Sequence, residues 1–244
     1  MEQVALYLPL IVIFVYSVVL HEVAHGYAAY QYGDPTAYRL GRLTLNPIKH
    51  IDPFFTVLMP AALYIFSSIF SDVTIIFGAA KPVPVNPANF TKKVQGYIVV
   101  SSAGVIVNFL LVLFFAGIMH ILLMMISIKS GNGTADISVA NLIAMKVVFW
   151  GILINLLLGV FNLIPIPPLD GSHLFKYLLP RSLRYKYQKI GFLGIIILLI
   201  LFYKGVFVAV FAYAYSAAFA ITGLTYHLGQ LGLSPAQLIS QMFG

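Results

Sequence analysis

VVLHEVAHGYAA, residues 18–29, closes an apolar run that begins at Val4 and carries no charged residue up to Leu20. His21, Glu22 and His25 then arrive together, where a hydrocarbon surrounding makes polar groups expensive. Ionisable residues in a membrane segment point to function by default, because something must offset the cost of burying them. The rest of the chain has to supply that partner.

Composition places the run in a membrane. The 244 residues are 61% hydrophobic and 9% charged, with a mean hydropathy of +0.96. An ordinary soluble domain carries about a quarter charged residues, so the chain reads as an integral membrane protein. Its apolar stretches are helix-length and mostly non-alternating, which favours an all-α polytopic fold over a β-barrel. No cysteine is present, which excludes a disulfide framework and a thiolate metal site. The first segment lacks a basic leader and a small-residue cleavage pattern, so it reads as a structural helix. Net charge is +7, but Lys and Arg cluster between apolar segments. That pattern encodes membrane topology and argues against a nucleic-acid partner.

Six apolar segments run roughly over 4–31, 54–70, 98–128, 142–165, 188–203 and 206–224, the last two meeting at Lys204-Gly205. The expected organisation is one membrane domain over residues 1–244, with a core at 4–175 and C-terminal helices at 188–244. Ser234-Pro235 reads as the start of a short amphipathic helix at the membrane surface. Five to six transmembrane helices are expected, joined by a re-entrant or extended connecting segment. Segment 54–70 is the re-entrant candidate, being short for a span and containing Pro60.

Charge distribution supports that choice. With 54–70 re-entrant, Arg39, Arg42, Lys49, Lys81, Lys92, Lys93, Lys176, Arg181, Arg184, Lys186 and Lys189 share one side, and Lys129 and Lys204 face the other, with Lys146 near a helix start and counted on neither. If all six segments cross, the division is eight against five. The positive-inside rule prefers the first arrangement. It predicts a multi-pass protein of the cell membrane, with its N-terminus outside and its polar site toward the cytosol.

On a helix, His21 and His25 lie four residues apart and share a face. Two imidazoles so placed can hold one Zn²⁺, and Glu22 beside them can act as general base toward a water at the metal. A catalytic zinc usually takes three protein ligands, so a third must come from elsewhere. The acidic residues are Glu2, Glu22, Asp34, Asp52, Asp72, Asp136 and Asp170. Glu2 and Asp136 fall on the opposite side in this topology, while Asp34, Asp52 and Asp72 sit in loops or at segment ends. Asp170 follows a long apolar helix that Pro165, Pro167 and Pro168 must terminate, and it is the preferred third ligand. Both polar clusters are then expected at the C-terminal ends of their helices.

Other polar residues carry weaker signals. His120 and His173 read as hydrogen-bonded structural or interface histidines, and His50 as a solvated loop residue. Asn108 and Asn162 are buried amides that need partners. They are candidates for substrate binding or for interhelical packing; Asn155 is assigned to packing.

HEVAH in a first membrane helix, followed far downstream by FNLIPIPPLDG (161–171), resembles the site-2 protease family of intramembrane zinc metalloproteases. RLGRLTLNPIKHIDP (39–53) and FGAAKPVPVNPANF (77–90) are similar to connecting elements of its short branch, which is without PDZ or CBS modules. The resemblance implies one zinc per chain bound by His21, His25 and Asp170, with Glu22 activating water. It implies hydrolysis of peptide bonds in or near transmembrane segments of membrane-protein substrates, within a lipid bilayer. It further implies that the strand-like stretch FGAAKPVPVN helps present substrate as an extended chain. Two positions depart from the family pattern. Val105 stands where proline usually follows Ala-Gly in SSAGVIVNF, and Ala79 stands where tryptophan often follows Phe-Gly. The alternative class is a membrane metal-binding protein without peptidase activity, either a transporter or an inactive scaffold. A transporter would show ligands near the midplane on several helices, with broken helices in corresponding halves, whereas this sequence shows one site near one face and no internal repeat.

Overall fold

A computed structural model describes residues 2–58, 61–62, 65, 80–129, 138–191 and 193–224. All regular elements among them are helical. Eight α-helices follow in order: α1 Glu2–Gln31, α2 Thr36–Arg39, α3 Lys93–Lys129, α4 Val139–Asn162, α5 Asp170–Leu178, α6 Arg181–Gln188, α7 Leu193–Tyr203 and α8 Val206–Thr222. Short 3-10 turns cover Pro47–His50 and Pro87–Asn89, and a π-helical turn covers Pro53–Leu58.

Among the described residues, three helical stretches are long and apolar enough to cross a membrane: Tyr7–Gln31, Lys93–Ile126 and Val139–Asn162, with mean hydropathies of 1.9, 2.7 and 2.2. α7 and α8 bend by 73° at their junction and add a fourth if the bent pair is one broken span. Gly205 makes that corner, with φ at +73°, a left-handed conformation that side chains with a Cβ rarely adopt. The expected apolar segment 188–203 starts later than its hydropathy indicated. Its first residue lies in the basic, tyrosine-rich helix α6, and the apolar helix begins at Leu193. Most of segment 54–70 and all of 225–244 lie outside the described residues, including the expected surface helix.

The chain divides into two compact units, one formed by residues 1–17 and 105–244 and the other by 18–104. In the first, Met119, Leu123, Met145, Phe149, Ile152, Leu153 and Ala218 form a fully buried core from α3, α4 and α8. Phe149 meets Tyr215 and Phe219 edge-on, with ring centroids 5.4 and 5.0 Å apart. Gly151 and Gly159 let α4 come close to Phe115 and Phe109 of α3, the small-residue device by which membrane helices approach. A polar chain crosses this apolar interior. Asn108 donates to Asn155 at 2.9 Å, and Asn155 donates to Ser17 and to the Gly151 carbonyl, each at 2.9 Å.

The second unit consists of the end of α1, the connecting segment and the start of α3. Asp34, fully buried, ties its parts together. It accepts from the Asn86 N–H at 2.6 Å, the Asn89 amide at 2.8 Å, and both the N–H and hydroxyl of Thr36. Residues 80–86 form no regular element and pair in no strand ladder among the described residues. Pro82 and Pro84 account for this, since neither can donate to a ladder. His50, expected to be solvated, is instead 3% exposed and makes a 2.9 Å bond to the Thr44 carbonyl. The turn that houses it also accepts from Lys81, through the His50 carbonyl at 2.9 Å.

Candidate metal centre

α1 carries the histidine pair, but not at its end: the helix continues through Gln31, six residues past His25. His21 and His25 are 7% and 9% exposed, and their Nε2 atoms face each other at 3.1 Å. The rings are set edge to face, with centroids 4.7 Å apart. Two nitrogens each about 2.0 to 2.1 Å from one tetrahedral zinc lie roughly 3.3 Å apart, so the pair fits a shared cation closely.

α3 fixes the tautomer. His25 Nδ1 lies 2.6 Å from the carbonyl of Val100, an atom that can only accept, so the ring donates there. That leaves the lone pair of His25 on Nε2, the atom turned toward His21. One turn further along α3, Gly104 faces the same two rings. A Cβ added at Gly104 would lie 2.5 Å from His21 Cε1 and 2.5 Å from His25 Nε2. Only a glycine admits the backbone of α3 this close. α3 itself runs unbroken through Val105, where the family pattern has proline.

Glu22 is anchored by the connecting segment. Its Oε2 accepts the backbone N–H of Val83 at 2.9 Å. The segment comes close because α1 has Gly26 there, where a Cβ would sit 2.6 Å from Leu43 and 2.7 Å from Val83. A carboxylate held by one oxygen presents the other in a defined direction, as general-base work requires.

Asp170 belongs to the other unit. α4 stops at Asn162, three residues before Pro165, and Asp170 is the first residue of α5. It therefore opens a helix instead of ending one, which corrects the sequence expectation. Its neighbour Gly171 packs so tightly on the Leu163 carbonyl that any side chain there would collide with it. The Asp-Gly pair thus fixes the turn between α4 and α5. Beside it, Pro167, Pro168, Ser172, His173, Lys176, Tyr187 and Gly191 line a half-open cavity of about 250 Å³.

The remaining candidates have the following partners. Asn108 is fully buried against Asn155, and Asn162 donates to the Leu158 carbonyl of its own helix at 3.0 Å. His120 lies 3.2 Å from the Ile221 carbonyl, and His173 lines the cavity just described. Sequence reasoning missed Val100, Gly104 and Val83 as supports of the site. Of these only Gly104 left a trace, as the glycine of SSAGVIVNF.

Residues 9–202 match the model of peptidase family M50. Over 193 residues the chain is 37% identical to "Putative zinc metalloprotease YwhC" of Bacillus subtilis (strain 168), covering 79% of each protein. No solved structure matches. With apolar helices and a histidine pair suited to zinc, these matches define a membrane zinc metalloprotease by family. The chain belongs to peptidase family M50, the site-2 protease family.

Proposed function

We propose that this protein is an intramembrane zinc endopeptidase that hydrolyses peptide bonds in or near the transmembrane segments of other membrane proteins. The observation that carries the proposal is the paired Nε2 geometry of His21 and His25, with Glu22 held beside it on α1. Asp170 completes the ligand set in this proposal, supported by its chemistry, its place in the PLDG turn and the family to which the chain belongs. One zinc per chain follows from one such set.

Zinc, when bound, lowers the pKa of water toward about 7 and polarises a carbonyl. Glu22 takes a proton from the attacking water through the carboxylate oxygen that Val83 does not occupy. It then delivers that proton to the departing amine as the C–N bond breaks and the new C–O bond stands. Asn108 and Asn162 are the proposed contacts to the substrate backbone. For either to serve, it must exchange the hydrogen bond it makes within the protein.

The fold proposal is five to six transmembrane helices, with 54–70 re-entrant, the N-terminus outside and the site toward the cytosol. It is supported by the eleven-to-two division of basic residues in that arrangement. Labelling of cysteines placed on either flank of 54–70, from each side of the membrane, tests it. Both flanks should react from the cytosolic side, and reaction from opposite sides would refute re-entry.

Zinc content per chain in detergent-purified protein tests the site. Wild type and Glu22→Gln should each hold about one zinc, and Asp170→Ala should lose it. A wild type that stays empty after zinc supplementation would overturn the proposal.

A further inference from the structure

The geometry points to Arg42 as a positioning residue that holds the Glu22 carboxylate through one peptide unit of the connecting segment. This rests on Glu22 being the general base, and it concerns a residue that touches neither metal nor substrate.

Arg42 is 8% exposed, an unusual place for a charge that is always present. Its terminal NH2 donates to the Lys81 carbonyl at 2.8 Å and reaches the Pro82 carbonyl at 3.4 Å. Its Nε is buried with no hydrogen-bond partner among the described residues. Burying a guanidinium against two neutral carbonyls is costly, so packing alone gives no reason to keep it.

The reason lies on the far side of the same peptide. The Pro82 carbonyl and the Val83 N–H belong to one planar trans unit, so they point in opposite directions. Arg42 sits at the carbonyl end, and Glu22 accepts from the N–H end at 2.9 Å. Cation and carboxylate thus meet opposite ends of the same peptide dipole. A positive charge at the carbonyl polarises the peptide and strengthens the N–H bond to Glu22. Pro82 has no N–H of its own, so no other backbone donor competes at that point. His50 secures the preceding residue by accepting from Lys81, which prevents the unit from rotating away. Arg42 and Glu22 then act as an ion pair coupled through a peptide, with the carboxylate's outer oxygen left for water.

The test measures backbone hydrogen exchange at Val83 in full-length, zinc-loaded protein. It adds cleavage of a dye-quencher-labelled, leucine-rich membrane-spanning peptide in phosphatidylglycerol-containing vesicles. Arg42→Gln should keep its zinc, speed exchange at Val83 by about tenfold or more, and lower kcat by about tenfold with little change in KM. Arg42→Lys, which restores a cation at the carbonyls, should recover most of both. In a Val83→Pro background, which removes the N–H, adding Arg42→Gln should change kcat by less than about twofold. Unchanged protection of Val83 in Arg42→Gln would overturn the inference, as would independent, multiplying losses in the double variant. The exchange arm decides on Arg42 even without cleavage. Protection lost in Arg42→Gln, with no turnover by wild type, would support the relay while counting against the peptidase proposal.

Discussion

His25 donates its Nδ1–H to the carbonyl of Val100 at 2.6 Å, and that bond turns the ring's lone pair toward His21. The bond joins residues 75 positions apart, so the tautomer of a residue on α1 is set by the backbone of α3. Supports of this kind are typically worth about 10- to 100-fold in metal affinity. Gly104 is what allows α3 to provide one.

Gly104→Ala should therefore weaken zinc binding by at least about tenfold, since the new methyl group would occupy space now held by both rings. Competition with a chromophoric chelator measures this directly. Gly117, whose added Cβ would meet nothing within 4 Å, is the matched control on the same helix. Equal zinc affinity in Gly104→Ala and Gly117→Ala would sink the argument.

Metal removal should cost stability as well as activity. A ligand that binds only the folded state stabilises it by about 2.7 kcal/mol at roughly 100 times its Kd. Stripping zinc with a chelator should lower the unfolding midpoint of wild type and of Glu22→Gln alike, because Glu22 is not a proposed ligand. Asp170→Ala should show no further drop on stripping. A midpoint in wild type indifferent to zinc would argue against a bound ion in the folded protein.

The helix-bound part of the candidate site stands out in the sequence because a spacing of four on an apolar helix leaves few explanations for two imidazoles and a carboxylate. Asp170 stood out for a similar reason, flanked by prolines that must end a helix. Val83, Val100 and Arg42 were not legible. Val83 and Val100 act through backbone atoms, which carry no side-chain signature. Arg42 looked like one more loop cation, and its burial depends on contacts 39 and 40 residues downstream. His50 was misjudged for the same reason, because composition marks a basic loop but does not reveal that the loop folds inward. The start of α7 was misplaced because hydropathy averages over Ile190 and the polar residues before it.

Asp34 makes an acid-side prediction. Burial alone pushes its carboxyl up, but bonds from the Thr36 hydroxyl, the Asn86 N–H, the Asn89 amide and the Thr36 N–H outweigh it and hold the group below the usual carboxylate range. A depressed folded-state value contributes stability that is complete well above the unfolded-state value, and the contribution is lost as pH falls through the folded value. Asp34→Asn should thus be less stable than wild type at neutral pH. The gap in unfolding midpoint should narrow as pH falls through the ordinary carboxylate range toward the lowered folded value. A gap that closes at higher pH would show that the charge on Asp34 does not carry the effect.

The chain from Asn108 through Asn155 to Ser17 allows packing to be separated from substrate contact. Asn155→Leu removes the acceptor of Asn108 Nδ2 and the donor to Ser17, so it should destabilise the protein by about 1 to 2 kcal/mol. Replacing both amides, Asn108→Leu with Asn155→Leu, should return part of that loss, since matched apolar replacement of two partners is often nearly neutral. If packing is the whole role of Asn108, the double variant should cleave with an unchanged KM once it is folded and zinc-loaded. A recovered midpoint with a KM raised about tenfold would instead place the Asn108 amide on the substrate backbone, which stability measurements alone cannot detect.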